Sequence, residues 1–101
     1  MSNRYFFDVF NTSIKRLRLI VPVVTRVHGE HHPELHEIKS LFLELDETTI
    51  KSLPNELELF HLFSQLRDVS HHYLVPDDAC ETYEEMLVML KKLDLAYGKS
   101  V

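Results

Sequence analysis

The chain has little that bends or staples a backbone. It contains two glycines, four prolines, one cysteine and no tryptophan in 101 residues. So few turn residues exclude a chain of many short elements and favour long helices. A single cysteine, Cys80, excludes an intramolecular disulfide and suits a reducing compartment. No apolar run approaches the ~18 residues that a spanning helix needs. Cations are also short: eleven Lys and Arg against sixteen Asp and Glu give a net charge of −5 with neutral histidine. That excludes nucleic acid as a main partner, because phosphate binding needs clustered Lys and Arg. The one basic run, Lys15, Arg16 and Arg18, is short and reads as a solvated helix face. With two glycines no phosphate-cradling loop can be built, and no hydrolase or nucleotide-binding motif occurs. A non-enzymatic, cytoplasmic protein of bacterial style is expected, with no membrane partner.

What is present is helical periodicity over one domain, residues 1–101. Phe7, Phe10, Ile14, Leu17, Val21 and Val24 recur at spacings of 3 and 4, and Phe6, Val9, Ile20 and Val27 widen that stripe. A first helix is predicted over Asn3 to Val27, kinked near Pro22. Gly29 ends it, and Pro33 can open a second helix reaching Lys51 with Leu35, Ile38, Phe42 and Leu45 inward. Ser52 as N-cap and Pro54 in the first turn open a third helix, to about Tyr73, with Leu59, Leu62, Phe63, Leu66, Val69 and Tyr73 inward. Asp77 or Asp78 caps a fourth, with Asp78 and Glu81 at capping-box spacing and Gly98 as its stop. Its stripe is Ala79, Cys80, Tyr83, Met86, Leu87, Leu90 and Tyr97. Four helices with short joints predict an all-α, up-down-up-down four-helix bundle.

Four of the seven histidines fall between Val27 and Glu37, in VHGEHHPELHE. Histidine and carboxylate are ligands of zinc and non-haem iron. His32 and His36 are four apart, on one helical face, and His28 lies in the adjoining loop. These three are the candidate metal ligands, for iron or zinc. They sit at a joint and not on facing helices, so a polar, exposed joint is the expectation. His71 and His72 precede another joint, where a helix C-terminus favours imidazolium. His61 flanks an apolar stripe. Cys80, on the apolar stripe, is expected to be a buried structural residue.

Two segments resemble a known family. Val24 to Leu35, running on to Ile38 and Phe42, resembles the first helix-to-helix joint of the di-iron proteins that repair iron–sulfur clusters. Leu66-Arg67, Tyr73, Pro76 to Cys80 and Thr82-Tyr83 resemble a later joint, in the same order, and Asn11-Thr12 resembles part of the first ligand helix. The resemblance implies a hemerythrin-like four-helix bundle. It does not carry the irons over. Ser13 and Ile14 stand where the family has its first-helix histidine. Ser52-Leu-Pro-Asn-Glu56 is the nearest match to a His-x-x-x-Glu pattern, and the fourth-helix motif would fall at or beyond Ser100. The resemblance thus implies a shortened, ligand-poor and metal-free relative that acts by binding a protein partner, and homodimerisation is open to it. The alternative is a metal-binding protein with a rebuilt site from His28, His32, His36 and carboxylates.

Overall fold

Four amphipathic segments fold as four helices in the computed structural model, which describes residues 4–51 and 55–100. They are α1 (Arg4–His28), α2 (Glu34–Ile50), α3 (Glu56–Val69) and α4 (Glu81–Ser100), joined as an up-down-up-down bundle. Its long dimension is 40 Å, which α1 almost spans by itself at ~1.5 Å per residue. α1 packs along α4 and α2, and α2 along α3. α3 and α4 do not close on each other to a comparable extent. The bundle is therefore a layer of α1 and α4 beside a layer of α2 and α3, tight on one edge and open on the other.

The apolar stripes meet as the spacing requires. Phe10, Ile14, Leu17, Val21 and Val24 of α1 are buried with Leu35, Ile38, Phe42 and Leu45 of α2, Leu59, Leu62, Phe63 and Leu66 of α3, and Met86, Leu87, Leu90, Leu93 and Tyr97 of α4. Phe6 is fully buried and meets Phe63 and Tyr97 edge-on at 5.9 and 5.6 Å, while Phe7 is only half-buried. Val27 is 60% exposed, on the flank of α1 turned away from the core while His28 and Gly29 after it stay packed, which corrects its expected place in the stripe. Buried hydroxyls cause no penalty. Thr25, Thr49 and Ser70 each donate to the carbonyl four residues back, at 2.6 to 2.8 Å. Thr48 instead donates to the Glu58 carboxylate at 2.7 Å, tying α2 to α3.

Several predicted ends differ. α1 runs unbroken through Pro22 to His28. Pro33 occupies the residue before α2 with helical φ and ψ. α3 is capped by Asn55, whose side chain accepts from the Glu58 N–H at 3.0 Å; the expected cap Ser52 and Pro54 lie outside the described residues. α3 ends at Val69, four residues early, because the chain there turns left-handed. Ala79 and Cys80 precede α4, and Gly98 lies inside it, where one glycine costs only ~1 kcal/mol and does not terminate a packed helix. Cys80 is exposed, not buried, because α4 begins one residue after it.

Candidate functional site

Two regions collect the side chains with chemistry. The first is the end of the bundle where both long joints meet. Gly29 N–H donates to the Thr25 carbonyl at 2.8 Å, so the chain leaves α1 in a tight turn. A Cβ on Gly29 would collide with that carbonyl and lie 2.8 Å from His36 Nε2. Glycine is therefore required by close approach, with no positive φ involved. The turn aims His32 across the bundle end. Its Nε2 lies 2.9 and 3.0 Å from the two carboxylate oxygens of Asp78, and its Nδ1 lies 3.4 Å from Glu34 Oε2. The Asp78 hydrogen bond is the largest cause of a raised His32 pKa, and the same bond lowers Asp78. Asp78 thus serves His32 and not the expected capping box with Glu81.

His28 is the second member of this end. Its Nε2 lies 3.3 Å from Cys80 Sγ. Both rings rest on Tyr83, His28 with centroids 5.1 Å apart and His32 edge-on at 5.5 Å. Burial, then the carboxylates of Glu34 and Asp78, push the Tyr83 phenol up to about 12. The three candidate ligands are thereby separated in role: His28 meets Cys80, His32 meets Asp78 and Glu34, and His36 sits against Gly29. Among the described residues, no three of His, Cys, Asp and Glu converge in a metal-holding group. His31 and Glu30 are exposed, as expected of a polar joint, but His32 is half-buried and links two joints. Sequence spacing could not show that, since Asp78 lies 46 positions away.

The second joint holds backbone in an unusual form. His71, His72 and Tyr73 have φ of 53°, 60° and 63° in succession. Each left-handed non-glycine residue costs ~1–2 kcal/mol. The surrounding bonds hold the turn. Ser70 Oγ accepts from the Tyr73 N–H at 2.8 Å, the Leu74 N–H donates to the Ser70 carbonyl at 3.1 Å, and the His72 N–H donates to the Arg67 carbonyl at 2.7 Å. The phenol of Tyr73 donates to Asp94 Oδ2 at 2.8 Å, and Arg67 Nη1 donates to Asp94 Oδ1 at 2.7 Å. Burial and the neighbouring Asp94 raise the Tyr73 pKa strongly.

This buried carboxylate leads to the second region, the open edge between α3 and α4. A cleft of about 240 Å³ lies there, lined by Phe60, Phe63 and Arg67 of α3 and Asp94, Tyr97 and Gly98 of α4. Its floor is the stacked pair Phe63 and Tyr97, centroids 5.2 Å apart. The Tyr97 hydroxyl donates to the Glu56 carbonyl at 3.0 Å, which fixes the ring. Gly98 leaves open space where a side chain would stand. Phe60 and Leu95, exposed by 52% and 57%, supply apolar surface on α3 and α4 beside it. Helical periodicity alone does not mark this edge. The signals in the sequence are Phe60, off the inward stripe of α3, and Asp94, four residues after Leu90 at a core-adjacent position of α4.

The remaining expected features are plain. Glu56 opens α3 and is exposed, and His61 is exposed. Arg16 and Arg18 of the basic run form bidentate pairs with Glu85 and Asp46. Among the described residues, no helix is long and apolar enough to cross a membrane. No protein-family model, curated protein or solved structure matches the chain.

Proposed function

We propose that the chain is a protein-binding module that works without a bound metal, and that its binding surface is the open edge between α3 and α4. One observation carries the reading: an otherwise closed bundle leaves an apolar cleft between Phe60 and Tyr97 on its surface. Leu95 extends that apolar surface, in a bundle whose other neighbouring helices, α1 with α4, α1 with α2 and α2 with α3, pack on each other. Contiguous exposed apolar surface of this kind marks interaction sites. The two segments that resemble the iron–sulfur cluster repair proteins, together with the bundle architecture, support descent from their hemerythrin-like domain with the iron ligands lost. The separate engagements of His28, His32 and His36 support the metal-free part of the proposal.

The experiment is affinity isolation from cell extract with the whole chain as bait, run in parallel with Phe60→Glu and Leu19→Glu. Both positions are exposed, on α3 and α1, so neither change should disturb folding. A partner retained by Leu19→Glu and lost by Phe60→Glu places binding on the α3–α4 edge. Equal loss or equal retention refutes that assignment. Metal analysis of untagged protein tests the other half. Stoichiometric iron or zinc, lost on His32→Ala, would replace the proposal with a rebuilt metal site.

A further inference from the structure

The cleft has a continuation with a different character. Towards the α3–α4 joint lies a second depression of about 120 Å³, lined by Arg67, His72, Tyr73, Lys91, Asp94 and Leu95. Arg67 and Tyr73 both bond Asp94, so the guanidinium and the carboxylate neutralise each other. Lys91 is left as net positive charge, with exposed Lys92 one residue on and exposed His72 opposite. Neither lysine forms an ion pair among the described residues. Asp68, the nearby acid of α3, lines a different depression, beside Glu37 and Gln65 on the α2 side. In a chain of net charge −5, this edge therefore runs from an apolar end to a cationic end.

We infer that the occupant of this edge is an amphipathic helix of a partner protein, its apolar face on Phe60, Phe63, Tyr97 and Leu95 and its Asp or Glu residues at the end over Lys91, with exposed Lys92 adding to the positive field there. The inference rests on the α3–α4 edge as the binding surface. Two adjacent antiparallel helices with a cleft between them form the groove into which a third helix lays a ridge of side chains at i, i+3, i+4 and i+7. α3 offers fourteen residues of length, ~21 Å, enough for about four helical turns of a partner. The apolar end supplies affinity through area removed from water. The lysines set orientation and speed encounter with an acidic end, and the chain's remaining negative charge disfavours acidic segments elsewhere.

The test is a displayed library of helical peptides about 15 residues long, varied along one face and at both ends, selected against the whole chain. The expected winners carry apolar residues at i, i+3, i+4 and i+7 and acids gathered at one end. Their affinity falls about tenfold with Lys91→Glu/Lys92→Glu, less so at high salt, and at least as far with Phe60→Glu. Circular dichroism and a urea melt of each variant establish that it is folded. Winners that lack acids or carry bases, yet still depend on Phe60, overturn the partner chemistry and leave the edge standing as a binding surface. Winners indifferent to Phe60→Glu overturn the edge itself. If no peptide is enriched the inference fails, and sedimentation then separates a dimer broken by Phe60→Glu, in which a second copy covers the edge, from a monomer.

Discussion

Both nitrogens of His32 face carboxylate oxygens: Nε2 faces Asp78 at 2.9 Å and Nδ1 faces Glu34 at 3.4 Å. A neutral imidazole has one N–H and can serve one of them; the cation serves both. Protonation therefore strengthens the link between the joint that precedes α2 and the joint that precedes α4.

That proton gives a pH dependence with a definite sign. The folded-state pKa of His32 is raised above its ordinary 6.5, so its contribution is complete below about pH 6.5 and is lost as pH rises through the raised value. Asp78 is lowered below its ordinary 3.8, so its part is present above that value and is lost as pH falls through the lowered one. The difference in urea midpoint between the native chain and His32→Gln should be widest between those limits and close under mildly alkaline conditions. A difference that is flat with pH would show that the pair contributes packing and not charge.

Asp94 holds two donors from different parts of the chain. Replacing it by alanine leaves the Tyr73 hydroxyl and the Arg67 guanidinium without their acceptor. A destabilisation of about 2–3 kcal/mol is expected, because an unpaired buried donor keeps its desolvation cost. Tyr73→Phe should cost less, about 1 kcal/mol, since it removes the donor along with the bond. Equilibrium urea unfolding of both single variants and the double measures the coupling, which should be clearly non-additive.

His72 is exposed and carries a φ of 60°. His72→Gly should raise stability by about 1 kcal/mol, as the steric cost of a left-handed residue exceeds the added freedom of glycine in the unfolded chain. An unchanged or lowered urea midpoint would show that the imidazole itself makes a stabilising contact.

Gly29→Ala should destabilise by about 1–3 kcal/mol, the usual cost of forcing atoms into filled space. The methyl group must displace the Thr25 carbonyl or His36. Gly98→Ala is the matched control. Its Cβ meets nothing, and helix propensity alone should make it stabilising by up to ~1 kcal/mol.

The helices were legible because burial follows a period that is written locally. Phe10, Leu17, Phe42, Leu59 and Leu90 could each be placed inward from spacing alone. The ends were less legible, because they depend on what a side chain meets far along the chain. Asp78 looks like a helix cap until His32 takes it. Cys80 looks like part of a stripe until α4 starts after it. The end of α3 at Val69 follows from Ser70 and Tyr73 bonding in a turn that no propensity favours. The open edge was invisible for a different reason: an apolar pattern says that a residue will be covered, and cannot say which neighbouring helix will fail to cover it.

The most extensive helix pairing joins α1 to α4, the first and last helices described. Contacts of such wide sequence separation form late, after the loop-closure entropy has been overcome. During synthesis α2 and α3 can pair as a local hairpin as soon as both have emerged. Phe6, Phe10 and Leu17 meet α2 and α3 earlier but are fully covered only when α4 arrives. Of the four described helices, α1 is therefore the one whose apolar stripe waits longest for its full cover.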